Sequence, residues 1–575
     1  MLHRLRVSHA NVLPDLMAGV TSAFSYIPQG MAYALVAGVS PIYGLYTGVF
    51  APVIGGLLAG SSFIVITVTN ELAMPTGGIL AAFGPGSAVA ALFTLTFLIG
   101  LIQLAFGLLK FGRVTRFISH CVTTGFIAGV GVLLVLGQLQ KLTGYKGQVS
   151  GNIFVRTWNW LLHLNQLDFH TTLVGLFTLG IIVVLQHTRL KAVALVVALL
   201  AATLGVFLLH WNSVELVGAL SRIPRGLPSP VVPDFRMILQ LFIPALSLAV
   251  LGLSVAAGVA QNYPEPDGTM PDASSDFVAQ GAANLIGGFF QGMPAGGSIS
   301  RTATSISAGA RSRWANIFAG VVLGIVLVTF AGFAELVPMA GLAGLLISIG
   351  IGVLRPDRVS KVWNTHIAER AAMVATFVLT LLIPLHWAIF AGVGLTLLVY
   401  IYSSSTKVRL VQIVRSGDSD FQEVAAPAQL PSDSVVALHA YGNAFFAAVY
   451  TLEAALPAPE NAENSIVIFG LRGRESITSS AVAMLERYLR RLQARGNKLM
   501  LVEVEPPVRR VLERTGLMQV ISEENVFAAT ASIGGSFQQA WAAAHEIVSG
   551  RLNLPEAPCS FNRVCSAPAL DRTRS

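Results

Sequence analysis

The chain has 575 residues, 54% of them hydrophobic and only 11% charged, with a mean hydropathy of +0.68. Those values exclude an ordinary soluble domain and read as an integral membrane protein. The formal charge of +8 reports topology rather than nucleic-acid binding, because basic residues cluster at every second connection: Lys110, Arg113 and Arg116; Arg189 and Lys191; Arg311 and Arg313; Arg355, Arg358 and Lys361; Lys407 and Arg409. Loops that retain Lys and Arg are the cytoplasmic ones. Both termini are therefore expected in the cytoplasm, with an even number of crossings.

The N-terminal MLHRLRVSHANVLPDL passes into an apolar run without a small-residue cleavage site, so it is read as a first spanning helix and not a removed signal peptide. Its continuation, FSYIPQGMAYALVAGVSPIYGLYTG, places Pro28 inside the span and sets Gln29 and Tyr33 four residues apart on one helical face. An amide and a phenol can both donate to an oxyanion. Next comes ITVTNELAMPTGG (66–78), where Asn70 and Glu71 interrupt an apolar run that Pro75 and two glycines then break. An acid at membrane depth is costly and normally faces protein or water, where it carries protons or pairs with a cation. Runs such as AALFTLTFLIGLIQLAFGLL and AVALVVALLAATLGVFLL approach or reach the ~20 residues a helix needs to cross a hydrocarbon core.

The segment GMPAGGSISRTATSISAGARSR (292–313) is the second interruption. Its glycines release the chain from helix geometry, and Ser298 or Ser300 can cap a helix running on through Arg301. A helix N-terminus inside the membrane exposes unpaired N–H groups and the positive end of a dipole, which favours an anion. Arg301 adds a fixed charge and a planar donor fork, while Arg311 and Arg313 mark the membrane edge. The two interruptions occupy corresponding places in the two halves of the chain, the pattern of a transporter site built from facing broken helices. With these counted as half-helices, residues 1–403 hold about fourteen segments.

Residues 404–428 are polar and are read as a linker to a small α/β domain over 429–551. There SVVALHAYGNAFFAAV, SIVIFGL and KLMLVEV read as strands, SSAVAMLERYLRRLQARG and PPVRRVLERTGLM as helices, and 552–575 as a disordered tail. The sequence holds no HExxH, no GxxxxGK and no His/Cys cluster at ligand spacing, so neither an enzyme nor a metal or cofactor is expected. The three cysteines give no disulfide framework.

IPQGMAYALVAGVSPIYGLYTG, then DFVAQGAANLIGGFFQGMPAGGSISRTA, then a soluble domain after the last span, resemble the SulP family of anion permeases with a C-terminal STAS domain. The resemblance runs from about residue 10 to 545. It implies an all-α polytopic membrane domain of two inverted seven-segment repeats, half-helices at segments three and ten, elevator movement of a core domain against a gate domain, and a homodimer. It places substrate contacts at Gln29, Tyr33, Ser300 and Arg301, the positions chosen above by spacing, with Ser298 as the alternative helix cap.

Three departures qualify it. The Gly-Pro that usually precedes the third-segment half-helix stands here as Val68 and Thr69, so the binding positions that follow fall on Asn70 and Glu71. The acid that many members carry in the eighth segment is missing near Leu253 and Ser254, which weakens sodium coupling and makes Glu71 the candidate coupling residue. In the soluble domain Thr478 and Ser479 replace the Asp-Ser of signalling relatives, so Ser479 is read as a helix cap and not a phosphorylation switch. The expected function is secondary active transport of a small inorganic oxyanion, sulfate first and coupled to protons, across the cytoplasmic membrane. Bicarbonate transport and uncoupled anion exchange or conductance are the alternatives.

Overall fold

The computed structural model describes residues 9–552 apart from 112–118, 148–151, 189–192, 221–223, 225, 266–267, 407, 417–419, 443–445, 475 and 533. Arg113, Arg116, Arg189, Lys191, Lys407 and the tail 553–575 therefore lie outside the described residues. The chain divides into two compact units, Met1–Leu397 and Leu398–Ser575.

In the first unit the elements run α1 (His9–Val36), α2 (Pro41–Leu58), β1 (Ile66–Val68), α3 (Asn70–Leu80), α4 (Pro85–Leu108), α5 (His120–Thr143), α6 (Ile153–Leu162), α7 (Phe169–Gln186), α8 (Ala194–Leu208) and α9 (Val217–Leu220). The second half continues with α10 (Ile238–Asn262), α11 (Ala273–Phe289), β2 (Ala295–Gly297), α12 (Ile299–Ser307), α13 (Trp314–Glu335), α14 (Met339–Leu354), α15 (Pro356–Trp363), α16 (Ile367–Leu382) and α17 (Leu385–Thr406). Among the described residues 8 helices are long and apolar enough to cross a membrane. With α1, α8, α11, α16 and the half-length α3 and α12 they make fourteen segments, the third and tenth of them broken. Helices α6, α9 and α15 are short extras. Exposed Phe177, Leu200, Phe207, Ile325 and Leu398 give the bundle an apolar outer surface, the surface a bilayer covers.

The segments pack as two groups. Helices α1, α2 and α13 pack on one another, and α4 packs on α10 and α11. Separately, α5 packs on α14 and α16, and α7 on α8 and α14. Between the groups, α1 meets α8 and α14, and α3 meets α5. Close approach within the first group needs missing side chains: a Cβ on Gly320 of α13 would sit 2.3 Å from the carbonyl oxygen of Val49 on α2.

One basic residue of the α12–α13 connection is built into the fold. Arg313 is 5% exposed, and its guanidinium donates to the carbonyl oxygens of Ala59 and Gly56 at 3.0 and 3.4 Å. It closes the C-terminal end of α2, where carbonyls lack helical partners. Asp15 of α1 fastens the same loop by accepting from the backbone N–H groups of Arg311 and Ser312 at 2.7 and 3.0 Å.

The second unit is a six-stranded sheet with helices on both faces. Its elements are β3 (Arg409–Ser416), β4 (Asp420–Ala425), β5 (Val435–Tyr441), α18 (Phe446–Ala455), β6 (Ile466–Gly470), α19 (Ser479–Gln493), β7 (Lys498–Val504), α20 (Pro506–Arg514), α21 (Leu517–Ile521), β8 (Val526–Ala528) and α22 (Gly535–Leu552). The strand order is β4-β3-β5-β6-β7-β8, antiparallel through β5 and parallel beyond it. Strand alternation explains the two cores: Val467, Phe469, Leu499 and Leu501 face α19, while Ile466, Ile468, Met500 and Val502 face Ala540 and Ala544 of α22.

Three sequence readings are corrected here. The stretch 404–428 is not a free linker, because it supplies β3 and β4, and β3 pairs with β5 inside the sheet. The apolar run after Tyr441 turns helical as α18, since an apolar stretch of that length fits either period. The cap of α19 is Thr478, whose hydroxyl accepts from the N–H of Ala481 at 3.4 Å, and Ser479 is the first helical residue.

Candidate functional site

The site forms where the two broken segments cross. Strands β1 and β2 pair antiparallel, Ile66 with Gly297, Thr67 with Gly296 and Val68 with Ala295, and each leads directly into a half-helix. The pairing satisfies backbone groups that neither helix can, the condition for irregular chain at membrane depth. It also explains Gly297: a Cβ there would lie 2.9 Å from Ile64 and 3.1 Å from the backbone of Ala256 on α10.

Side chains of α11 hold β2 from behind. The Asn284 amide donates to the Ala295 carbonyl and accepts from its N–H, at 2.8 and 2.7 Å, and donates to Gln103 of α4 at 2.8 Å. Gln280, one helical turn earlier, accepts from Gly297 N–H at 3.3 Å. Gln103, Gln280 and Asn284 are fully buried. The sequence reading missed this network although all three lie in apolar segments, where a buried amide is itself a signal of interhelical bonding.

Helix α12 begins at Ser298, whose hydroxyl accepts from the N–H of Arg301 at 3.4 Å, so Ser298 and not Ser300 is the cap. Ser300 is exposed, its hydroxyl 3.5 Å from that of Ser298. Arg301 is 5% exposed and folds back across β1 toward α1. Its Nε donates to Gln29 Oε1 at 2.7 Å and one terminal nitrogen donates to Thr67 Oγ1 at 2.7 Å. The guanidinium lies 4.9 Å from the ring centre of Tyr26 and 5.7 Å from that of Tyr33, within cation–π range of both. The second terminal nitrogen is buried and bonds nothing.

Helix α3 contributes an unfilled half. Its N-cap, Thr69, makes no side-chain bond to the helix end, which leaves the first N–H groups without that partner. Asn70 is 2% exposed, and both polar atoms of its amide are buried without partners. Glu71 is half-buried, in hydrogen-bonding reach of the Thr69 hydroxyl and in electrostatic reach of Arg301 and Tyr33. Among the described residues Arg301 has no carboxylate within 4.0 Å. The structure thus gathers Gln29, Tyr33, Ser298 and Arg301 with Glu71 nearby, and adds Thr67 and Tyr26, which the sequence reading did not name. In the eighth segment, α10, Ser254 turns its hydroxyl back to the Val250 carbonyl at 2.6 Å.

A guanidinium with a free, buried donor beside an uncapped helix N-terminus and an unpartnered amide is an anion-binding arrangement. The sulfate permease family profile matches residues 12–376 and the STAS domain profile matches 429–533. YvdB of Bacillus subtilis strain 168 is 29% identical over 520 residues, 89% of this chain and 95% of its own. Sulfate transporter 4.1, chloroplastic, of Arabidopsis thaliana is 25% identical over 545 residues, 89% of this chain and 78% of its own. Among solved structures, SLC26A9 superposes with a TM-score of 0.83 at 18% identity, covering 96% of this chain and 94% of its own, which speaks for the fold. The transmembrane domain of the cyanobacterial bicarbonate transporter BicA superposes with a TM-score of 0.59 at 26% identity, covering 67% of this chain and 98% of its own. The chain belongs to the sulfate permease family and is a multi-pass anion transporter carrying a C-terminal STAS domain.

Proposed function

We propose that the protein is a secondary active carrier of a small inorganic oxyanion, with sulfate first and bicarbonate second. The observation that carries this reading is Arg301: a buried guanidinium held by Gln29 and Thr67, with one nitrogen left free beside the N-terminus of α3. Sulfate is put first because Sulfate transporter 4.1 of Arabidopsis matches along most of this chain, and bicarbonate second because of BicA. Substrate contacts are assigned to Gln29, Tyr33, Asn70, Ser298, Ser300 and Arg301. Proton coupling is assigned to Glu71, whose protonation would remove a charge that repels the anion.

The two packing groups support an elevator movement, with the β1–β2 crossing carried by the group containing α1 and α4. The protein is assigned to the cytoplasmic membrane as a homodimer, with both termini and the STAS domain on the cytoplasmic side, in keeping with the basic connections at Arg311, Arg355 and Arg358. The test is uptake of labelled sulfate and of labelled bicarbonate into proteoliposomes, with and without an imposed pH gradient. Accumulation of sulfate driven by an inward proton gradient supports the reading. Anion flux that follows only its own gradient and ignores pH would replace it with an uncoupled exchanger or conductance.

A further inference from the structure

At the end of the membrane unit opposite the start of α1, the α1–α2 connection, the C-terminal turn of α5, the short α6 and the start of α7 enclose a cavity of about 1160 Å³. It lies on the seam between the two packing groups, above the line where α1 meets α8 and α14. Three of its lining residues are basic: Lys141 in the last turn of α5, Lys146 just beyond it, and Arg156 on α6.

Among the described residues no carboxylate lies within 4.0 Å of Lys141, Lys146 or Arg156. Of the two acids in the lining, Asp168 is committed elsewhere, capping α7 through the N–H of Thr171 at 2.7 Å and accepting from the Thr171 and Ser213 hydroxyls. Arg156 and Glu215 both lie within electrostatic reach of Lys141, with opposite signs. Arg156 is also oriented rather than free: its terminal nitrogen donates at 3.2 Å to Oε1 of Gln140, the residue next to Lys141 on α5, while its Nε is buried and bonds nothing. Two cations held side by side in a concavity repel each other, and the field inside such a cleft is focused. An anion between them removes that repulsion.

We infer that this cavity is a second anion site, distinct from the crossing of the half-helices, where Lys141 and Arg156 capture a doubly charged tetrahedral oxyanion from solution before it enters the seam. The inference rests on the reading of the chain as an oxyanion carrier. Sulfate, with two charges and a tetrahedral set of acceptors, suits an ammonium and a guanidinium facing one another. Lys146, exposed like Lys141, adds to the same field.

The experiment measures equilibrium binding of labelled sulfate to the full chain in nanodiscs of phosphatidylcholine, for the wild type, for Lys141→Gln with Arg156→Gln, and for Arg301→Ala. The wild type should bind in two classes. The paired variant should lose one class and keep the other unchanged, and Arg301→Ala should do the reverse. In proteoliposomes at low ionic strength, uptake at limiting sulfate should fall about tenfold in the paired variant with the maximal rate retained, and added salt should erase the difference. A single class in the wild type, or two classes surviving in the paired variant, overturns the second site. Loss of the outer class when phosphatidylglycerol enters the nanodisc overturns capture from solution and makes a lipid phosphate the occupant. If Arg301→Ala keeps both classes, the central site has been misassigned while the outer one still stands or falls on the paired variant.

Discussion

Arg301 and Gln29 stand 272 positions apart in the chain and meet at 2.7 Å, Nε donating to Oε1. That bond joins the tenth segment to the first and fixes the plane of the guanidinium, so the nitrogen left over has a set direction. A lysine could not be held this way, because its three donors radiate from one nitrogen on a flexible stem and form no planar fork.

Replacing Arg301 by Ala is therefore expected to weaken sulfate binding about tenfold to a hundredfold, the range for a hydrogen bond to a charged group. Lys should recover only part of it. The Arg301 side chain is 5% exposed and bonded to Gln29 and Thr67. Alanine should thus also lower the melting temperature, since Gln29 and Thr67 lose their donor. Titration calorimetry and thermal unfolding of the purified variants separate the two effects. Unchanged binding in the alanine variant would move the substrate site elsewhere.

Glu71→Gln imitates a permanently protonated side chain. It should still bind sulfate and exchange it for another anion, yet lose accumulation driven by a pH gradient, and sodium should make no difference to either protein. Counterflow serves as the exchange control. Accumulation by the variant when only protons can drive it would show that Glu71 does not couple.

Asn284→Leu keeps the side-chain volume close to native and removes no charge. It strands the N–H and C=O of Ala295 and the amide of Gln103, at about 1–3 kcal/mol for each buried group left unpaired. The purified protein should melt earlier and bind sulfate more weakly although residue 284 touches none of the proposed contacts. A variant with normal melting and normal binding would show that β2 is held without Asn284, by its pairing with β1 and by Gln280.

Removing the STAS domain should reduce transport or surface level without changing which anions compete, because the selective groups lie among the spanning segments. Where the cut falls matters. A chain ending at residue 429 keeps β3 and β4 but deprives β3 of β5, exposing an unpaired strand edge. It should accumulate to a lower level than one ending before Arg409, as read by quantitative blotting of membranes. A shifted competition profile in either truncation would place selectivity in the wrong unit.

The STAS domain should also lose stability in mild acid. Burial holds the His439 imidazole below its ordinary value of 6.5. Below 6.5 the unfolded chain takes up a proton that the folded one refuses, so stability is full above that value and falls as pH drops toward the lowered one. Hydrogen exchange of β5 amides in the full chain between pH 7 and 5 measures it, and His439→Gln should flatten the dependence. An equal slope in both proteins would assign the effect to another group.

How far the sequence carried the site depended on whether a residue's role was local. The helix start at Ser298, the break before Arg301 and the shared face of Gln29 and Tyr33 are properties of a few neighbouring residues, and they stand in the fold where spacing put them. Thr67 and Asn284 act on partners more than two hundred residues away or across a chain reversal, and no period or propensity announces that. Arg313 looked like its neighbour Arg311, but its role was decided by the carbonyls of α2 coming within reach. In the STAS domain, strands with buried alternation were legible, whereas the run after Tyr441 carried too little pattern to choose between strand and helix.

The pairing of β1 with β2 has a consequence for how the protein is made. Thr67 cannot find Gly296 until the ribosome has passed the middle of the message. Until then the first seven segments sit in the bilayer with β1 an open strand, each of its unpaired backbone groups costing several kcal/mol in hydrocarbon. The half-made protein is thus a species that membrane quality control can recognise, and release from it coincides with completion of the anion site. A chain stopped before Ala295 is expected to be degraded even though every one of its spanning helices is intact.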